Sequence, residues 1–453
     1  MSHRRTATRW GTVALGLLLV GSAALAQSQT SDSTSAPAAR PTGLPKKIQW
    51  KFNFDGGLGA FGFSNSLYTE ARPDPSGDLG DDWIESFAKP ALSADYALKT
   101  GTLYGAASVV GERTFAAPPS LVGEDASSFQ VEDAYLGWKS GKALSIGEDA
   151  LDFRAGRSQY RIGQGFLLWD GGGEGGSRGG FWSNARKAWE FAGIARFKPR
   201  NNTFEAFYLD RDEVPEAETG TGVWGANYEL ALGEANTIGT TYLGLSSDSL
   251  PNRDGMSVYN VRAYVSPFKR LAGLSLGAEY AHEDNGSRLT SNAWMAQAGY
   301  ELGTVTWKPT LSYRYAFFEG DDPSTEKSEG FDSLLPGFYD WGTWWQGEIA
   351  GEYFLGNSNL ISHTMRLHVT PTESLGMGLL GFVFQNDQPA SFGPGVTSKS
   401  IASEVDWYAD WKFNANFTLS AVLAYGNPQE ALSQGYGRTK NFSYGMMYVA
   451  YSY

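Results

Sequence analysis

The chain has 453 residues and no cysteine, which excludes disulfides and thiolate metal sites. Its 49 Asp and Glu outnumber 36 Lys and Arg, a formal charge of −13 that argues against nucleic acid as a partner. Past the first 26 residues no apolar run has the length of a spanning helix, which excludes a bundle of membrane helices.

The N-terminus has the layout of an export signal. MSHRRTATR is basic, WGTVALGLLLVGSAA is apolar, and Ala24-Leu25-Ala26 is an A-x-A cleavage site. Residues 1–26 are therefore read as a signal peptide, with Gln27 opening the mature chain. Losing Arg4, Arg5 and Arg9 leaves 33 basic against 49 acidic residues, a net of −16. Arg4-Arg5 lacks the context of a twin-arginine signal, so ordinary secretion is expected. Residues 27–45, rich in Ser, Thr, Ala and Pro, are expected to be a disordered linker. Residues 46–453 read as one domain of strands.

Apolar and polar residues alternate along these strands, the mark of a half-buried strand. The first falls near 48–63, before a loop containing RPDPSGDLGDD. Two more, near 86–98 and 102–112, close on Lys99-Thr100-Gly101. Further on, Ala134, Leu136 and Trp138 oppose Asp133, Tyr135 and Lys139. The pairs 189–198 with 203–210, and 223–232 with 237–245, close on PRNN and GEAN. In 258–266, Tyr259, Val261, Ala263 and Val265 oppose Asn260 and Arg262; in 274–283, Leu274, Leu276, Ala278 and Tyr280 oppose Glu279. The strand at 307–317 sets Trp307, Pro309, Leu311, Tyr313, Tyr315 and Phe317 against Lys308, Thr310, Ser312 and Arg314. After a long acidic loop, Ile361, Met365, Leu367 and Val369 oppose Arg366 and His368. IASEVDWYADWK sets Ile401, Val405, Trp407 and Trp411 against Glu404, Asp406, Tyr408, Asp410 and Lys412.

This pattern predicts an all-β fold, a transmembrane antiparallel barrel with apolar residues toward lipid and charges toward the lumen. Short periplasmic turns alternate with long extracellular loops only if 344–355 is no spanning strand, which leaves about 18 strands. Glu348/Glu352 and Ile349/Tyr353 are i, i+4 pairs, so a short helix or folded lid is expected there. The end, KNFSYGMMYVAYSY, with a terminal aromatic and alternating Met447, Val449 and Tyr451, resembles the signal read by barrel-assembly machinery.

No catalytic constellation stands out, so no enzyme and no cofactor are expected. His282, His363 and His368 lack metal-site spacing, and no Ser sits in a nucleophile elbow. The Gly-rich run 171–180 is no phosphate loop; it reads as a flexible loop or as a lid folding into the pore mouth. Glu319, Asp321 and Asp322 form a solvated acidic loop or a weak calcium site. Charge on lumen-facing positions is the strongest functional signal. Lys139, Arg196, Arg262, Lys308, Arg314 and Arg366, with Asp133, Glu279, Glu404, Asp406 and Asp410, either fill the lumen as ion-pair ladders or form a selectivity constriction.

Three stretches carry a resemblance: FRAGRSQYRIGQG (153–165), SNARKAWEFAGIARF (183–197) with FEAFYLDRDE after it, and the segment from GDDP through FDSLLPGFYDW to NLISHTMRLHVTPTESL. They resemble the alginate-export family of outer-membrane barrels. That resemblance implies a monomeric barrel of about 18 strands in a Gram-negative outer membrane, with an Arg-rich constriction and passive passage of an anionic polysaccharide. By position it singles out Arg157, in a motif where Ser158 is inserted before Gln159, and Arg186, with Arg154 and Arg161 nearby. Export would add periplasmic secretion partners to the membrane lipid and the solute. The alternative is a porin for uptake of small sugars or other small molecules.

Overall fold

The computed structural model describes residues 48–453 except 67–79, 117, 119–124, 170, 174, 234–235, 338–345 and 438–439. The signal peptide and the 27–45 linker lie outside the described residues. Eighteen strands follow one another: β1 (Gln49–Ser64), β2 (Gly80–Leu98), β3 (Gly101–Phe115), β4 (Ser127–Lys139), β5 (Leu151–Ser158) and β6 (Trp189–Phe197). Next come β7 (Asn202–Asp210), β8 (Gly222–Ala231), β9 (Thr237–Ser246), β10 (Ser257–Val265), β11 (Leu274–Asp284) and β12 (Thr290–Glu301). The last are β13 (Thr310–Phe318), β14 (Leu360–Thr372), β15 (Leu375–Gln385), β16 (Ser400–Lys412), β17 (Phe417–Pro428) and β18 (Phe442–Ser452). Each pairs antiparallel with its chain neighbours, and β1 pairs with β18, so the sheet closes and has no edge.

The alternation follows from having water or protein inside and hydrocarbon outside. On β10, Val261 is 53% exposed while its neighbours Asn260 and Arg262 are buried. Aromatic rings mark both rims of the outer face, as interfacial girdles do. At the long-loop rim Trp224, Tyr242 and Tyr259 lie in contact, with centroids 5.4 Å apart at each step. At the short-turn rim Phe197, Phe204 and Tyr228 do the same, at 6.2 and 4.9 Å. Val261→Arg, near the middle of its strand, should cost about 2–4 kcal/mol of folding into lipid, and Ile238→Arg, near the short-turn rim, only about 0–1. Urea midpoints of refolding into vesicles would test this, and equal midpoints for wild type and Val261→Arg would contradict the lipid-facing assignment.

Three local departures from strict alternation move side chains. β13 begins at Thr310, because Pro309 has no N–H for the ladder. Trp307 and Lys308 instead occupy the turn with φ of 69° and 44°, so Lys308 is exposed at the rim and does not face the lumen. On β16 the register jumps between Phe384↔Ala402 and Gln385↔Ser400, and the bulged Ile401 turns inward instead of toward lipid. On β4 the register passes from Ala107↔Ala134 to Val109↔Val131, so Glu132 and Asp133 share the lumen opposite Ser108.

Two long connections fold into the barrel. Between β5 and β6, the described residues of 159–188 bury Tyr160, Phe166, Phe181 and Trp182. Between β13 and β14, Gly347–Gly351 forms a single π-helical turn, and Tyr353 behind it is buried against Phe63, Trp83, Phe181 and Tyr444. The stretch around 347–355 is thus a folded inward segment and not a strand, as its i, i+4 pairs predict. The two connections also meet: the Trp169 N–H donates to the Leu335 carbonyl at 2.8 Å and the Gly337 N–H to that of Gly165 at 2.8 Å.

Candidate constriction of the lumen

The charged centre of the lumen forms where the β5–β6 connection meets the end of β7. The kink that ends β5 needs Gly156, whose φ is 125° and whose Cβ would lie 2.3 Å from the Ala134 carbonyl oxygen. Beyond the kink Arg157 donates to Asp212, the second residue after β7. Arg186 donates to the same Oδ2, and Arg178 reaches it at 3.0 Å. Three guanidiniums thus share one carboxylate, and Arg178 and Arg186 are buried. Beside them Arg211 pairs with Glu213 at 2.9 Å. The pairing leaves a local excess of positive charge away from bulk water, where its field is least screened.

The Gly-rich run allows this approach. Asp212 exchanges main-chain hydrogen bonds with Gly171 and Gly173 at 2.9 Å each. A Cβ on Gly172 would fall 2.4 Å from the Arg186 carbonyl oxygen. The run is a packed inner strip, the lid alternative rather than a loose loop. The main chain of 182–188 is carried by carboxylates of the wall. Glu85 accepts from the Trp182 and Ser183 N–H at 2.8 and 2.7 Å, and Glu112 from Ala185 at 2.5 Å. Glu132 accepts from Lys187 and Ala188 at 2.8 and 3.1 Å.

The remaining sequence-predicted charges are spread along the wall. Arg262 donates to Thr241, Asn227 and Glu229 at 2.8, 2.6 and 2.6 Å, while Glu279 accepts from Asn260 and Tyr264 at 2.9 and 2.8 Å. Arg314 binds Gln297 through Nε and Nη2 at 2.9 and 2.6 Å. Arg196 pairs with Glu205 at 2.5 Å, and Arg366 donates to the Tyr408 hydroxyl at 3.0 Å. Asp133 holds Ser108, and Asp410 accepts from Ser420 at 2.6 Å. Arg154 donates to the Gln159 carbonyl at 2.8 Å; Arg161 is exposed and stacks on Trp169 at 4.5 Å, away from Asp212. Glu404 and Asp406 are inward but do not line open water: they accept from the N–H of Ile349 and Ala350 and of Glu348. Of the predicted set, only Arg157 and Arg186 converge.

Alternation missed several members. Asp212 and Arg178 sit in connections, where period two says nothing. Glu85 lies in the early part of β2, upstream of the expected start, and the bulge on β4 turns Glu132 inward against the alternation. Glu112 continues the inward row Ser108, Val110, and that row could have found it.

A second latch joins two long loops. Arg253 binds Asp332 through Nε and Nη2 at 2.8 and 2.5 Å, and Glu283 accepts the Asp332 N–H at 2.9 Å. Burial pushes the Asp332 carboxyl up, but the Arg253 guanidinium outweighs it and holds the group below its ordinary value. A depressed folded value means stabilisation that is full above the unfolded value and lost as pH falls through the folded one. Protease protection of 247–256 and 319–337 should therefore persist from neutral pH down to about pH 4 and disappear only below it. Arg253→Ala should remove that protection at neutral pH as well. Wild-type loops cleaved as fast at pH 7 as at pH 3 would contradict the latch.

Among the described residues no group of three or more His, Cys, Asp or Glu is placed to hold a metal. In the acidic loop Asp321 and Asp322 accept from the N–H of Glu329 and Ser324, and Glu319 binds Asn292. His363 faces outward and meets the Tyr313 hydroxyl at 2.8 Å. His368 Nε2 is 3.5 Å from the Thr370 hydroxyl, at the limit of reach, and Nδ1 faces the Tyr408 hydroxyl rather than a carboxylate.

Fold and site together define a transmembrane β-barrel narrowed by its own folded-in loops. No protein-family profile matches the chain, and no curated protein does. Solved structures do match. Pseudomonas aeruginosa OccK5 (OpdH) shares 12% identity and a TM-score of 0.55, over 89% of this chain and 98% of that one. Acinetobacter baumannii OccAB2 shares 12% and 0.56 over the same fractions. Pseudomonas aeruginosa OpdK, crystallised with vanillate, shares 12% and 0.54, again over 89% and 98%. At such identity the likeness is one of fold. The chain is a closed 18-stranded antiparallel β-barrel. The structures named above are Occ and Opd proteins and not alginate exporters, so the resemblance holds at the level of the barrel fold.

Proposed function

We propose that this barrel is a porin admitting small anionic solutes, acting as a monomer and without chemistry of its own. The observation that carries the reading is the convergence of Arg157, Arg178 and Arg186 on Asp212 inside the lumen. A positive excess at a narrowing lowers the barrier for anions and raises it for cations. Two connections packed within the lumen favour a small solute over a polysaccharide chain, which needs a continuous wide passage. OpdK, similar in fold, was crystallised with vanillate, a small carboxylate. That supports a carboxylate as the class to try first.

Planar-bilayer recordings decide. The expected result is an anion-preferring pore whose current is reduced by millimolar benzoates or short carboxylates, with the preference lowered in Arg186→Gln. A cation-selective pore indifferent to carboxylates would overturn the reading. Current blocked and carried by oligouronates, with small carboxylates inert, would favour polyuronate export instead.

A further inference from the structure

We propose that Glu85, Glu112 and Glu132 are positioning residues of the constriction: a row of wall carboxylates that holds the main chain around Arg186 and so sets the charge selectivity of the pore. The inference deepens the porin reading and depends on it. The three residues lie on consecutive strands β2, β3 and β4, and all are buried. The amides they accept advance in the same order as the strands: Trp182 and Ser183, then Ala185, then Lys187 and Ala188. Arg186 is flanked on both sides by held amides, so its guanidinium meets Asp212 from a fixed backbone.

The chemistry explains why carboxylates stand here. The main-chain carbonyls of the barrel wall are committed to the ladder, so a strip lying across it finds no backbone acceptor. Its wall-facing amides are met by inward side chains, while the Asn184 N–H donates to the Gly180 carbonyl within the strip at 3.0 Å. A carboxylate offers about four lone-pair sites to such donors, and Glu85 takes three, including the Trp83 indole N–H at 2.8 Å. Glutamine keeps an acceptor oxygen at the same reach, whereas alanine removes the acceptor altogether.

The test uses the full chain, refolded and reconstituted in planar bilayers, with reversal potentials in a KCl gradient. Glu112→Gln and Glu132→Gln, which keep an acceptor oxygen, should hold the wild-type conductance and anion preference to within about twofold. The Glu112→Ala/Glu132→Ala variant should give a larger, noisier conductance and lose anion preference. Hydrogen exchange should find the amides of 182–188 strongly protected in the wild type, a readout that does not require the alanine variant to assemble. Unprotected wild-type amides, or an alanine variant with wild-type conductance and selectivity, would overturn the inference. Arg186→Gln separates the two levels: if it too leaves selectivity unchanged, the porin reading fails, and if it alone changes it, only the positioning role does.

Discussion

Asp212→Ala should open the pore to a larger and fluctuating conductance while leaving the barrel assembled. The carboxylate is the shared acceptor of Arg157, Arg178 and Arg186. Removing one partner of a buried ion pair typically costs about 3–5 kcal/mol, because the other charge is left without compensation. Here three guanidiniums lose it together, and their cheapest relief is to move into lumen water. The cost falls on the inner strip at 171–188 and not on the strands, whose ladder closes on itself from β1 to β18. Asp212→Asn, which keeps an acceptor oxygen, should be intermediate. The folded barrel is recognised by its heat-modifiable migration, which both variants should retain. A wild-type conductance in Asp212→Ala would show that the cluster does not hold the constriction.

The Glu404→Ala/Asp406→Ala double variant should release the other inward segment. The two carboxylates accept from the N–H of Glu348, Ile349 and Ala350, all three inside the protein. Each donor left without an acceptor costs about 1–3 kcal/mol. Three lost together set a cost of several kcal/mol, about 3–9, against the ring contacts that hold Tyr353. Because the chain has no cysteine, a single Ala350→Cys reports the change directly. It should resist a bulky maleimide in the otherwise wild-type protein and react rapidly in the double-variant background. Equal labelling in both would refute the anchoring role.

The architecture was legible because a barrel wall obeys a local rule. Period two decides which face each residue takes, and from that came the inward direction of Arg262, Glu279 and Arg314; the alternation of short turns with long loops set the strand count and rejected 344–355 as a strand. The rule failed where the backbone departs from a regular strand. Pro309 shortened β13 and put Lys308 in a turn, the bulge at Ile401 reversed its side chain, and the bulge on β4 opposite Ser108 brought Glu132 inside. In the connections there is no period to read. The FRAGRSQYRIG and SNARKAW stretches pointed to Arg157 and Arg186, but nothing local revealed that Arg178 would join them or that Asp212 would be their common partner. The carboxylates Glu404 and Asp406 were placed on the correct face, yet their partners, three amides of a distant connection, could not be read from their own strand.

By itself, then, the sequence determined the wall, since the choice between hydrocarbon and water is made residue by residue along each strand. Only the tertiary structure decided the passage. Its charge and width depend on segments far apart in the chain meeting inside a closed sheet, where each buried amide and guanidinium must find its partner across the lumen.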